Sequence, residues 1–295
     1  MRIFLTGATG FIGSAVIPEL LAAGHSVVGV TRSDDGAAML EKAGVTPFRG
    51  TLEDPDGLRA GAEAADAVIH LAFDHDFSRF AENCEKDRRV IAALGAALEG
   101  SSRPLLITSG TGLGNGHDGG PAREDVTNFD HPNPRVASEQ AAEELLLRGV
   151  NVSVVRLPQV HDTRRQGLIS PLIDIARAKG VSAFIGEGTN RWPAGHLSDV
   201  ARLYRLAIER AESGARYHAV DEEGVSARSI AEALAQGLKL PLVSIAPDKA
   251  GEHFGWMGGF VGLDFPASNA ITREKLGWTP TGPSLLADLA AADYG

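Results

Sequence analysis

The chain has 295 residues, a formal charge of −10 at pH 7 and one cysteine, Cys84. The acidic balance excludes the basic face that phosphate neutralisation needs, and with it a nucleic-acid partner. A single cysteine excludes an internal disulfide and any multi-cysteine metal site, and it fits a reducing compartment. Residue 1 enters an apolar run directly, without a leader, and no apolar stretch is long enough to span a bilayer. A soluble cytoplasmic protein is therefore expected, with no membrane partner.

Residues 2–6, Arg-Ile-Phe-Leu-Thr, read as a short strand that breaks into Gly7-Ala8-Thr9-Gly10-Phe11-Ile12-Gly13. An amphipathic helix follows over 11–23, then a strand over 26–31 ending in Arg32-Ser33-Asp34. Helix and strand then alternate, with helices over 36–43, 56–62, 77–98 and 135–148 and strands over 46–49, 67–72, 104–109 and 151–156. Residues 110–134 are rich in Gly, Asn, Asp and Pro and read as loop. This alternation predicts an α/β fold, a Rossmann-type doubly wound parallel sheet. Beyond it the pattern is less regular, with helices near 168–178, 198–210, 226–237 and 284–291. Cys84 falls inside a predicted helix and reads as structural.

The glycines of the first turn have separate physical jobs. Gly7 permits the tight exit from the strand, Gly10 leaves room for a pyrophosphate, and Gly13 lets the helix approach the sheet. The helix N-terminus supplies free N–H groups and a positive dipole end to phosphates. Thr6, Gly7, Thr9, Gly10, Phe11, Ile12 and Gly13 are thus the expected dinucleotide contacts. At the end of the second strand, where NAD binders place a carboxylate, stand Thr31, Arg32 and Ser33. A cation and a hydroxyl suit a 2′-phosphate, so NADP(H) is expected in preference to NAD(H), although Arg32 also reads as a solvated surface residue.

The G-x-x-G-x-x-G spacing closely resembles the fingerprint of extended and atypical short-chain dehydrogenases/reductases, the epimerase/dehydratase-like branch included. The resemblance implies a Rossmann domain over 1–160, with part of 190–220 returning to it, and a smaller substrate-binding subdomain over most of 161–295. It places Leu52 beside the adenine, Leu71, Ala72 and Phe73 beside the pyrophosphate and ribose, and Pro158 and Val160 beside the nicotinamide. His75, Thr111, Gln159, Trp192 and His196 become candidate substrate contacts. His75 and Asp76 read equally well as a polar turn in which Asp76 caps the next helix. Asp199 and the Leu276-Gly277-Trp278-Thr279-Pro280 segment read as structural.

The family's Tyr-x-x-x-Lys pair is missing: Arg135 stands at the tyrosine position and Glu139 at the lysine position. His131-Pro132-Asn133-Pro134-Arg135 resembles an atypical subgroup in which His-x-x-x-Arg replaces the usual pair. Histidine titrates near neutrality and arginine supplies fixed charge. Ser109, with Thr111 behind it, matches the hydroxyl that the family aims at the substrate oxygen, and His161, in place of a tyrosine, is a second candidate acid. The catalytic candidates are Ser109, His131, Arg135 and His161, with no metal site. The expected activity is NADP(H)-dependent hydride transfer to or from a small-molecule carbonyl or alcohol without the usual tyrosine. A non-catalytic NADP(H) sensor and a nucleotide-sugar epimerase or dehydratase are the alternatives. Two long apolar-striped helices, 77–98 and 135–148, resemble the pair through which family members form homodimers.

Overall fold

The computed structural model describes residues 1–116 and 119–294. Apolar strand segments and intervening helices follow one another as β1 (Arg2–Thr6), α1 (Phe11–Ala22), β2 (Ser26–Thr31), α2 (Asp34–Lys42), β3 (Thr46–Arg49), α3 (Pro55–Glu63), β4 (Ala67–His70), α4 (Phe80–Ala96), β5 (Leu105–Gly110), α5 (Val136–Leu147) and β6 (Val152–Leu157). The chain continues through β7 (Gln159–His161), α6 (Ile169–Lys179), β8 (Ser182–Ile185), β9 (Arg191–His196), α7 (Leu197–Arg210), β10 (Arg216–His218), β11 (Glu222–Ser226), α8 (Ala227–Leu238), β12 (Leu242–Ile245), α9 (Ala250–Phe254), α10 (Gly258–Val261), α11 (Ala270–Leu276) and α12 (Leu285–Ala291).

The main sheet has seven strands in the order β10-β6-β5-β4-β1-β2-β3, and every pairing in it is parallel. Side chains of a strand alternate between faces, and β1 shows how that builds two cores. Ile3 and Leu5 pack with Val16, Leu20, Leu203 and Tyr204 on the face covered by α1 and α7. Phe4 packs with Leu58, Ile91, Leu94 and Leu145 on the face covered by α3, α4 and α5. Strand order reverses between β1 and β4, and such a switch point opens a crevice at the C-terminal strand ends.

After β6 the chain leaves this sheet. β7 joins a small sheet in the order β11-β9-β7, β8 pairs with β12, and a third core forms around Ile173, Trp192, Leu234, Phe254 and Met257. β10 returns to the edge of the main sheet beside β6. No helix among the described residues is long and apolar enough to cross a membrane.

The elements depart from expectation in two respects. The helix expected over 77–98 starts as a separate 3-10 turn, Phe77–Arg79, because Asp76 Oδ1 accepts the Ser78 N–H (3.0 Å) and closes that turn before α4 begins at Phe80. Strands β7 to β12 were not expected, since segments of three to six residues carry too little alternation to read.

Candidate active site

At the end of β1, Gly7 has φ +69°, and a Cβ there would meet Ala72 N at 2.8 Å and Leu71 C at 2.9 Å. A Cβ on Gly13 would lie 2.1 Å from Gly7 O, so only glycine lets α1 sit this close to the turn. Gly10 occupies the N-cap position, and its N–H donates to Gly7 O (2.9 Å). No side chain caps α1 and its first turn carries no acid. The first-turn N–H groups and the positive end of the helix are left for an anion, which is the cradle a dinucleotide pyrophosphate fits. Phe11 and Ile12 pack on the core beside it, and Thr9 is exposed. Arg165, on the loop after β7, lies 5.9 Å over the Phe11 ring, a cation at the cradle that the sequence did not single out.

Thr6 braces this turn instead of facing it. Its Oγ accepts the Leu71 and Ala72 N–H groups (both 3.2 Å), so its proton goes to His70 Nδ1 at 2.7 Å. His70 Nε2 then donates to Asp87 Oδ1 (3.0 Å), and Asp87 Oδ2 accepts from Arg135 Nη1 and Ser138 Oγ, both at 2.7 Å. Burial alone would raise the Asp87 pKa, but the Arg135 charge and the His70 and Ser138 hydrogen bonds outweigh it and hold Asp87 at about 2. Arg135 also donates Nη2 to Thr108 O (2.9 Å) and lies 4.0 Å over the Phe73 ring. Its guanidinium is therefore engaged inward, in an ion pair and a backbone hydrogen bond, so the expected catalytic candidate serves the fold at this point.

Glu139 is fully buried and accepts from Ser109 Oγ (2.6 Å), Arg156 Nε (2.7 Å) and Arg216 Nε (3.0 Å). Ser109 is 4 % exposed, and its hydroxyl serves this ion cluster instead of reaching into the crevice. Thr111 is buried at the start of a 3-10 turn, so it too is withdrawn. His131 is different. It is half-buried on the loop before α5, and its Nδ1 accepts the Asn133 N–H (3.0 Å), which leaves the ring proton on Nε2. Desolvation lowers its pKa.

At the tip of β2, Arg32 is exposed, and Ser33 Oγ caps α2 by accepting the Gly36 N–H (3.1 Å). Thr31 is buried and in register with Arg49, so a second arginine ends the neighbouring strand β3. Arg49 Nη2 lies 3.2 Å from Asp34 Oδ1. Sequence reading missed Arg49; the Arg at the end of the neighbouring parallel strand was the available signal. Leu52 is partly buried against the core.

Residues 3–221 match the model of the NAD dependent epimerase/dehydratase family. The chain belongs to that family. An uncharacterized protein of Schizosaccharomyces pombe is 44% identical over 100% of both chains. A 4-hydroxy-2-methyl-3-oxo-4-farnesyl-3,4-dihydroquinoline-1-oxide ketoreductase of Stigmatella aurantiaca is 28% identical over 86% of this chain and 80% of its own. Among solved structures, the dTDP-glucose 4,6-dehydratase of Streptomyces venezuelae with NAD bound superimposes with TM-score 0.77 at 19% identity, covering 99% of this chain and 95% of that one. As a member of this family the chain is an NAD(P)-dependent oxidoreductase- or epimerase-type enzyme.

Several residues expected to line the family's substrate cavity lie elsewhere. Trp192 is 2 % exposed, stacks on Phe265 (5.6 Å) and donates Nε1 to Leu263 O, so it belongs to the third core. His196 caps α7, accepting the Ser198 N–H on Nδ1. Gln159 Oε1 accepts the Leu168 N–H (2.8 Å) and braces the loop after β7. His161 is fully buried, its Nδ1 2.7 Å from Asp288 Oδ2 on α12, which ties the last helix to β7 and keeps the ring from solvent. Pro158 is partly buried after β6, and Val160 joins the α1-side core. His75 stays exposed at the crevice mouth, its ring 5.3 Å from Phe73.

Proposed function

We propose that this protein is an NADP(H)-dependent reductase of small-molecule carbonyl compounds that works without a catalytic tyrosine. The observation that carries the reading is the uncapped N-terminus of α1 behind Gly7 and Gly13, with two arginines at the tips of β2 and β3. Phe11 and Ile12 would hold the pyrophosphate through backbone N–H groups, with Gly10 leaving room for its approach and Arg165 beside them. Arg32, Arg49 and Ser33 would hold a 2′-phosphate, which would replace the exposed Asp34 carboxylate as the partner of Arg49. Leu52, Leu71, Ala72 and Phe73 would line the adenosine side, and Pro158 and Val160 the nicotinamide side. When bound, the nicotinamide supplies or takes the hydride.

The chain must then orient the carbonyl and meet the charge that develops on its oxygen. None of the three tyrosines is placed to do so. Tyr204 is fully buried with its hydroxyl 2.8 Å from Thr108 Oγ, the Tyr217 hydroxyl is buried, and Tyr294 bonds Leu289 O near the C-terminus. Desolvation raises the pKa of all three. His131 is the better donor: with Nδ1 occupied by Asn133, the neutral ring presents Nε2–H, a preorganised hydrogen bond for a forming alkoxide. Arg135 supports the Phe73 face of the crevice from within its ion network.

A non-catalytic NADP(H) sensor is the second reading. It is favoured by Arg135 and Glu139, both locked in ion pairs where the family has its proton relay. An epimerase or dehydratase reading lacks the strong base that such reactions use. We also propose a homodimer through the outer faces of α4 and α5. Oxidation of NADPH, with NADH in parallel, across aldehydes and ketones tests the reading. Turnover with NADPH preferred supports it, NADPH binding without turnover on any carbonyl favours the sensor, and NADH preference contradicts the role of Arg32 and Arg49.

A further inference from the structure

The segment from α9 through α10 has two apolar faces with different fates. Phe254, Met257 and Val261 are each 3 % exposed or less and anchor it in the C-terminal core. Phe260 packs partly against the same core, and Trp256 points the other way. Trp256 is 50% exposed, an unusual cost for the largest side chain unless something covers it. Gly255, with φ +58° and no atom within 4 Å of where a Cβ would be, is the turn that throws Trp256 out while Phe254 stays in.

The ring Trp256 meets belongs to the other half of the molecule. It stacks on Phe77 with centroids 4.9 Å apart and planes 18° apart. Phe77 stands on the 3-10 turn between β4 and α4, at the edge of the sheet where the cofactor crevice opens. From it, ring contacts run through Phe80 (5.5 Å) to Phe73 (6.1 Å), whose face lies under Arg135 beside the glycine turn. An unbroken aromatic track therefore leads from the crevice to the Phe77–Trp256 stack. Three cations along it are engaged: Arg135 by Asp87, Lys86 by Asp74 and Glu53, and Arg79 by Glu82. His75, 5.3 Å from Phe73 and 6.3 Å from Phe77, is pushed towards its neutral form by desolvation. A phosphosugar would find its charge unmet there, whereas a flat uncharged ring would be met on both faces.

We propose that Phe77 and Trp256 are a specificity clamp that parts to admit a planar aromatic aldehyde or ketone and stacks on it. This rests on the reductase reading for the reaction, but the binding it predicts does not need turnover. The test measures binding to protein loaded with NADP⁺, by calorimetry and tryptophan fluorescence, using 2-naphthaldehyde and, as a non-aromatic partner, hexanal. Trp256→Ala and Phe77→Ala each weaken naphthaldehyde binding about tenfold, Trp256→Phe retains it within about twofold, and hexanal binding is unchanged in all three, in line with the worth of a ring–ring contact plus buried area. Equal weakening of both aldehydes, no effect of Trp256→Ala, or no naphthaldehyde bound by the unaltered protein overturns the clamp. Failure of the protein to bind NADP⁺ overturns the cofactor reading instead. The same aldehyde series on the cofactor-free protein then decides the clamp by the same criteria.

Discussion

Arg135 Nη1 and Asp87 Oδ2 meet at 2.7 Å between α5 and α4, with Asp87 1 % exposed. The guanidinium stands where the family resemblance puts a tyrosine, and it closes a hydrogen-bonded line that starts at Thr6 under the glycine turn and passes through His70. One residue thus changes from proton relay to structural strut, and the cofactor turn and α5 become mechanically joined.

Writing the usual pair back in should therefore harm the fold instead of improving the chemistry. Arg135→Tyr leaves Asp87 a buried charge without its main partner, and Glu139→Lys sets a cation against Arg156 and Arg216. Breaking a buried pair in this way costs about 3–5 kcal/mol. Urea unfolding of each single variant is expected to show a loss of that order, and variants as stable as the parent would contradict the strut.

Acid stability follows from two buried groups. Desolvation, and then the Arg156 charge, lower the His218 pKa to about 3, against ~6.5 unfolded. Its folded pKa is depressed, so the unfolded chain binds the extra proton, and stability falls as pH drops from ~6.5 towards 3 at up to ~1.4 kcal/mol per pH unit. Asp87, held at about 2, adds a second loss as pH falls below ~3.9. Unfolding free energies measured across this range should show the first slope flattened in His218→Gln and the second retained.

Cofactor choice is expected to reside in the two arginines at the strand tips. Arg32→Ala and Arg49→Ala should each weaken NADPH binding about tenfold or more, the worth of a charged hydrogen bond, and leave NADH binding nearly unchanged. Equal losses for both nucleotides, measured by nucleotide fluorescence titration, would place these residues outside the 2′-phosphate site.

Much of the sheet was legible because parallel strands buried on both faces are continuous apolar runs, as in 67–72 and 104–109. Gly7, Gly10 and Gly13 were legible because each has a steric reason to lack a side chain. The ion clusters were not, because their partners are far apart in the chain: Glu139 meets Arg216 across 77 residues and His161 meets Asp288 across 127. Read locally, Asp87 in Lys86-Asp87-Arg88-Arg89 is a solvated charge, and Ser109 is a hydroxyl at a strand end. The Phe77–Trp256 stack was illegible for the same reason, since each ring looks like ordinary core until the two halves are brought together.

Hydride transfer without a tyrosine is tested most directly by single-turnover oxidation of bound NADPH by a reducible aldehyde. His131→Ala is expected to slow that step about a hundredfold or more, the usual worth of a positioned proton or hydrogen-bond donor. Tyr204→Phe, Tyr217→Phe and Tyr294→Phe should each leave it within about twofold, since the three hydroxyls are bonded to Thr108, buried, and bonded to Leu289 O, respectively. The rate should also hold level as pH rises above the ordinary histidine range, because neutral His131 keeps its Nε2 proton, and fall only on the acid side, where protonation breaks the bond from Asn133. A tyrosine variant that abolishes the step, with His131→Ala unimpaired, would contradict the account.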